Sequence, residues 1–208
     1  MGVRIENLVT SGTFSLDGGT WDVDNNVWIV GNDEECVIID SPHDASAIIN
    51  HVQGRKVLAI LQTHAHNDHI GAAREVADAV GAPICLNPDD LVLWEQVYPD
   101  TKPDRELNDG DLFEVAGATL KAIHTPGHSP GSMCFYLQSE GTVFTGDTLF
   151  NGGPGATGRS YSDYPTILAS IRERLLTLPP ETVVRTGHGG DTTIAAEQET
   201  LAKVAQQP

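Results

Sequence analysis

THAHNDHIG, Thr63 to Gly71, places three histidines and one aspartate within six consecutive positions of a chain that has eight histidines in 208 residues. It follows VLAILQ (57–62), whose first five residues are an unbroken apolar run of the kind found in strands buried on both faces. His64, His66, Asp68 and His69 therefore sit on the turn between that strand and a helix over 70–80, which Gly81 closes. In an extended segment His64 and His66 point to the same side, while Asp68 and His69 on the turn can face a neighbouring point a few ångströms away. One loop can then serve two metal ions, and imidazole nitrogen with carboxylate oxygen suits zinc or iron without any thiolate. A lone histidine here would read as a polar helix start. Four potential ligands together do not.

Working outward, apolar and β-branched runs predict strands at 3–10, 26–31 and 35–40, with Gly18-Gly19 as a turn signal. A helix over 44–52, the strand 57–62, the helix 70–80, a short strand 83–86 and a helix 88–97 come next. A second block of strands covers 111–115, 118–124, 132–138 and 142–146. The helices 166–178 and 192–205 follow, separated by the strand 182–186. Strands, helices, strands, helices in that order suggest two sheets with helices on their outer faces. No repeat or composition break divides residues 1–208, so a single domain is expected, with Tyr98 to Asp109 and Asn151 to Asp163 as loops long enough to be functional.

One loop cannot complete two coordination shells, and further candidates lie directly after strands. His128 stands in HTPGHSPGS, Asp147 follows TVFTG, and His188 follows TVVRT within TGHGG. Each taken singly has a bland alternative, a turn residue with a solvated side chain. Loops after neighbouring strands converge at one sheet edge, so together they make a coherent dinuclear site.

Composition narrows the partners. A formal net charge of −17, with no cluster among 12 Lys and Arg, repels phosphate backbones and argues against nucleic acid. No run approaches the roughly 18–20 apolar residues of a membrane span, and the opening MGVRIENLVTSGTF lacks a signal-peptide layout, so a cytoplasmic protein is expected. Cys36, Cys85 and Cys134 are odd in number and far apart, and read as small buried hydrophobes.

VIIDSP with Asp40, THAHNDHIG, TPGHSPGS, TGDTLF and TGHG, in that order, resemble the metallo-β-lactamase-fold hydrolases, and within them the glyoxalase II-like branch. The resemblance covers almost the whole chain. It implies an α+β fold, a four-layer αββα sandwich with two divalent ions, zinc or else iron or manganese, at one edge between the sheets. Carried onto matching positions, His64, His66 and His128 hold one metal, Asp68, His69 and His188 the other, and Asp147 bridges them. Asp68 is taken as a catalytic residue as well. The first loop ends DH rather than DR and the strand-end residue is Asp rather than Cys, unlike the β-lactamase subclass that uses a cysteine. Asp40 resembles the aspartate that lies behind the ligands in this family; it also reads as a helix-capping turn residue.

Two cations sharing a water would lower its pKa toward neutrality and supply a hydroxide nucleophile. A small-molecule thioester suits such a site, because a thiol with a pKa of about 8.5 leaves without a strong general acid. An amide nitrogen would need protonation, which disfavours a β-lactamase-like role, and a lactonase is likewise ranked below the thioesterase. The helical C-terminal extension of glyoxalase II, which helps hold glutathione, has no counterpart after His188. Substrate contacts are therefore expected from NGGPGATGRSYSDY, with Arg159 as a carboxylate ligand or an internal ion-pair partner, and Tyr161 and Tyr164 as contacts or packing residues. His43, three residues after Asp40, is within reach of the site. The alternative reading is a persulfide dioxygenase with a single iron held by His66, His128 and Asp147.

Overall fold

VWIVG, CVII, VLAIL, MCFYL and VFTG are apolar at nearly every position, which requires cover on both faces of their strands. The structure, a computed structural model, describes residues 2–204 and supplies that cover with four layers. One sheet runs β1 (Arg4–Leu16), β2 (Gly19–Gly31), β3 (Glu35–Ile39), β4 (Lys56–Leu61), β5 (Ile84–Leu86) and β6 (Arg105–Glu106), antiparallel at first and parallel from β3 onward. The other runs β7 (Leu112–Val115), β8 (Ala118–His124), β9 (Met133–Leu137), β10 (Thr142–Gly146), β13 (Val183–Thr186) and β14 (Thr192–Thr193), with β10 and β13 parallel. A small ribbon of β11 (Leu149–Phe150) and β12 (Gly153–Pro154) lies between β10 and the following helix. The first sheet is accompanied by α1 (Ala45–Val52), α2 (Asn67–Ile70), α3 (Ala73–Val80) and α4 (Leu91–Val97), the second by α5 (Tyr164–Ser170) and α6 (Ile194–Val204).

Alternate residues of each strand sort into different cores. Trp28, Val30, Val37, Ile39 and Leu61 meet Leu120, Met133, Phe135 and Phe144 between the sheets. Val27, Ile29, Cys36, Ile38 and Ile60 face the other way, onto Ile48, Val76 and Trp94 of the helices. Cys134, Val143 and Val184 pack against Ile167, Ile171, Ile194 and Leu201. Three apolar layers between four layers of secondary structure make the αββα sandwich of an α+β fold. Each fully buried Ile or Leu contributes roughly 1.5–3 kcal/mol, so this double-sided burial is the main source of stability.

Several boundaries differ from the expectation. The strands expected at 3–10 and 26–31 are parts of a hairpin of two 13-residue strands, because backbone pairing continues through residues too polar to show an apolar pattern. Its turn centres on Asp17 and Gly18, both at positive φ (53° and 77°), as a two-residue hairpin loop demands. The helix expected over 70–80 is two pieces, α2 and α3, and Gly81 at φ 68° ends the second. The C-terminal helix starts at Ile194, after β14 takes Thr192 and Thr193 into the sheet. Ala205 lies outside the described residues. No described helix is long and apolar enough to cross a membrane.

Candidate metal centre

The chain leaves β4 at Leu61, bends at Thr63, and reaches His66, which caps the single turn of α2 with φ −66° and ψ 148°. That path sends His64 and His66 inward and places Asp68 and His69 on α2, all at most 5% exposed. His128 comes from the loop after β8, Asp147 directly from the end of β10, and His188 from the end of β13. All seven side chains meet at one edge of the sandwich, between the sheets.

Among the described residues, three groups have ligand atoms within 4.8 Å of one another: His64, His66 and His128; Asp68, His69 and His188; and His64, His69 and Asp147. His64 Nε2 lies 3.0 Å from His66 Nδ1, which lies 3.1 Å from His128 Nε2. His69 Nε2 and His188 Nε2 are 3.3 Å apart. Nitrogens around a tetrahedral zinc at about 2.0–2.1 Å sit about 3.3 Å from each other, so the spacing is that of a coordination shell.

The outer ring nitrogens decide what faces inward. Nδ1 of His69 meets Asp40 Oδ2 at 2.8 Å, Nδ1 of His128 the Ala156 carbonyl at 2.8 Å, and Nδ1 of His188 the Asp24 carbonyl at 2.8 Å. Nδ1 of His64 lies 3.1 Å from Thr63 Oγ1, whose own hydrogen is given to Asp40 Oδ2 at 2.7 Å. Each of these acceptors takes an N–H from Nδ1, leaving Nε2 to present a lone pair to the centre. Four such lone pairs converge on one another, beside Asp147 Oδ1 and Asp68 Oδ1, which have no hydrogen-bond partner. A cation placed among them satisfies that arrangement, and the donors are all nitrogen and oxygen. The residues fit divalent metal ions.

The electrostatics of the metal-free site say the same. Burial pushes the Asp147 carboxyl up, but His69 and His188 outweigh it and hold it well below the usual range. Burial opposes charge on His188 too, yet Asp147 and Asp68 raise it to about 10, and Asp147, Asp68 and Asp40 raise His69 well above normal. Burial, with the nearby His128, instead holds His66 down at about 3. The two carboxylates thus draw protons onto the histidines in the place where a metal would supply positive charge.

Asp40 is left-handed (φ 62°), and its carboxylate also accepts from Thr63 N at 2.7 Å, tying the end of β3 to the start of the histidine loop. A cleft of about 230 Å³ opens onto the cluster, lined by His66, Asp68, His128, Asp147 and His188 with Phe14, Trp21 and Arg159. Arg159 therefore stands at the site. Tyr161 and Tyr164 do not line the cleft and are each 46% exposed. His43 is behind the cluster, its Nε2 2.8 Å from Asn25 Oδ1. Two participants escaped the sequence reading. Asn25 Nδ2 reaches Asp68 Oδ2, His69 and His188 at 3.2–3.3 Å, but in sequence it is one polar residue at a strand start. Asp90, in NPDD, looks like a helix-start residue, and only its buried contacts reveal more.

With this geometry, residues 20–188 match the metallo-beta-lactamase superfamily domain. The chain belongs to that superfamily. The superfamily's metallo-hydrolases account for a His/Asp metal site at this sheet edge. The chain is similar to hydroxyacylglutathione hydrolase GloC of Haemophilus influenzae, 32% identical over 182 residues that cover 80% of this chain and 86% of that one. It is similar in structure to the BLEG-1 B3 metallo-beta-lactamase, 33% identical with a TM-score of 0.77 over 91% of this chain and 97% of the other. It also resembles TTHA1623 in a di-iron-bound form, 34% identical with a TM-score of 0.76 over 92% and 98% of the two chains.

Proposed function

We propose that this member of the superfamily is a thioester hydrolase of the hydroxyacyl-thiol type, working with two divalent ions, zinc in the first place. His64, His66 and His128 would hold one ion and Asp68, His69 and His188 the other. The observation that carries the two-ion reading is the position of Asp147. Its Oδ2 is 3.5 Å from His128 Nε2 in the first group and 3.4 Å from His188 Nε2 in the second, and its Oδ1 is 3.2 Å from His69 Nε2. When bound, the ions supply Lewis-acid chemistry, activating water and polarising a carbonyl.

The chain's own residues do the rest. Asp68 lines the cleft with a free Oδ1 and is the base to which an attacking water can give its proton. Asp40 and the Ala156 and Asp24 carbonyls hold the rings in one tautomer, so no reorientation is needed during turnover. Phe14 and Trp21 exclude bulk water on one side of the cleft. No further general acid is required if the leaving group is a thiolate with a parent pKa of about 8.5. The likeness to GloC supports the same substrate class.

A second reading has its own observation in favour. His66 Nδ1 lies 3.1 Å from His128 Nε2, which lies 3.5 Å from Asp147 Oδ2, and two histidines with one carboxylate are the residue types that suit a single iron and an oxygen-using persulfide reaction. One preparation separates the two. The zinc-loaded protein is expected to release one thiol per S-lactoyl thioester at equal rates with and without oxygen, to carry two ions, and to lose both ions in Asp147→Ala. Oxygen uptake on a persulfide by iron-loaded protein, with no thioesterase activity in the zinc form, overturns the proposal. Two ions retained in Asp147→Ala overturns the bridging role.

A further inference from the structure

The group of Asp68, His69 and His188 is built against three consecutive residues of β2. The Asp24 carbonyl accepts from His188 Nδ1 at 2.8 Å. Asn26 holds the segment around His188, its N donating to the Gly187 carbonyl at 2.8 Å and its Nδ2 to the Thr186 and Gly189 carbonyls at 3.0 Å. Between them, Asn25 reaches the ligand atoms themselves. Its Nδ2 lies 3.2 Å from Asp68 Oδ2, 3.2 Å from His69 Nε2 and 3.3 Å from His188 Nε2. Those three atoms are 3.3–3.6 Å from one another, so the amide stands over their triangle. Asn25 is fully buried and does not line the cleft, whereas Asp68, Asp147 and His188 do. The amide therefore closes the triangle on the side away from the cleft.

An ionised carboxylate only accepts, so Asp68 decides which end of the amide faces the group: the NH2 turns inward and Oδ1 outward. Outward, Oδ1 meets His43 Nε2 at 2.8 Å. Burial lowers the His43 pKa, so the ring is neutral and has one N–H to give, from Nε2. The ring is placed there at a cost. His43 has φ 50°, a left-handed conformation unfavourable for a bulky residue, and a Cβ on Gly12 would stand 2.2 Å from its Nδ1. Packing alone asks for neither the strained backbone nor the directed N–H. The pair also sorts the two oxygens of Asp68, since Oδ2 is anchored by Asn25 while Oδ1 has no partner.

We propose that Asn25 is a positioning residue for the second ion, acting through Asp68, and that His43 sets the orientation of its amide. The N–H groups on the inner side turn a cation toward the cleft side of the triangle. There Asp147 Oδ1 lies 3.2 Å from His69 Nε2, and its Oδ2 lies 3.4 Å from His188 Nε2. The polar contacts of Asn25 run to Asp68, His69, His188 and His43 and leave out His64, His66 and His128. Its effect is thus confined to one of the two groups. The inference rests on the two-ion reading for what that group holds.

Asn25→Leu is close in shape and removes both ends of the amide. In zinc titrations of chelator-treated protein, its second dissociation constant should rise roughly 10–100-fold, the usual worth of a partner behind a ligand, while the first stays within about twofold. His43→Gly relieves the left-handed backbone, and carries the test if Asn25→Leu does not fold. It should weaken the second ion in the same sense but less, and add nothing in the Asn25→Leu background, because it acts through the amide. A further readout needs no metal: nitrogen NMR of the chelated protein should find the His43 hydrogen on Nε2. A hydrogen on Nδ1 means that the amide oxygen faces the ligands, and overturns the assignment. Unchanged second affinity in Asn25→Leu, or in His43→Gly where the former is unfolded, overturns it as well. A single ion in the unaltered protein overturns the two-ion reading; weakening of that ion in the variants then keeps the positioning role, and full affinity overturns it too.

Discussion

Removing one buried carboxylate should loosen both histidine loops at once. Asp90 is fully buried at the start of α4, and its Oδ2 accepts from Ala65 N at 2.9 Å and Ser129 Oγ at 2.8 Å, while Oδ1 accepts from Gly131 N. Ala65 lies between His64 and His66, and Ser129 follows His128, so this single side chain links the two loops that carry three candidate ligands. Burial raises its pKa, and hydrogen bonds from Ser129, Gly131 and Ala65 draw it back. In Asp90→Ala the Ala65 and Gly131 N–H groups lose their acceptor inside the protein, while the Ser129 hydroxyl keeps Ser132 Oγ at 2.8 Å. Two orphaned buried donors at about 1–3 kcal/mol each come to roughly 2–6 kcal/mol. A central value near 4 kcal/mol corresponds to a fall in Tm of about 8–16 °C for a chain of this size. Asp90→Asn keeps one acceptor oxygen but turns an amide toward the other donors, and should lose about half as much. The assay is thermal unfolding of chelator-treated protein, with metal stoichiometry measured on the untreated form; both should drop. An Asp90→Ala protein melting within about 2 °C of the unaltered one, with full metal, would refute the reasoning.

Gly187→Ala tests how closely the backbone approaches the centre, since a Cβ there would stand 2.3 Å from Asp147 Oδ1 and 2.9 Å from His69 Cε1. Loss of metal with unchanged circular dichroism is expected, and full occupancy would contradict the observed packing. The metal-free protein should also respond to pH in a defined sense. The folded-state pKa of His188, about 10, lies above its ordinary 6.5 because Asp147 and Asp68 outweigh burial. Its stabilising contribution is thus complete below about pH 6.5 and lost as pH rises through about 10. Tm of chelated protein should fall across that window, whereas metal-loaded protein, whose histidines have given up those protons, should not show the fall. Parallel curves for the two forms would show that His188 holds no such proton.

Much of the architecture is written locally. Unbroken apolar runs such as VLAIL and CVII can be satisfied only by strands covered on both faces, and the helical periods between them leave few layer orders available. The dense THAHNDHIG loop, and the strand-end positions of His128, Asp147 and His188, are equally visible, because a loop after a strand is where the backbone can aim side chains at a common edge. What tertiary structure alone decided is everything that depends on distant segments meeting through polar groups. The outer halves of β1 and β2 have no apolar signature, yet they pair to the tip and carry Phe14 and Trp21 into the cleft. Asn25 and Asp90 look like ordinary polar residues at element ends, and they gain meaning only from partners 18 to 163 and 25 to 41 positions away. Tyr161 and Tyr164 lie within five residues of Arg159 but turn to solvent, while Arg159 finds an indole 138 positions earlier in the chain. Hydrophobic periodicity reports which face of a segment is buried. Hydrogen bonds and cation–π contacts depend on which segments are brought together, and no local pattern encodes that.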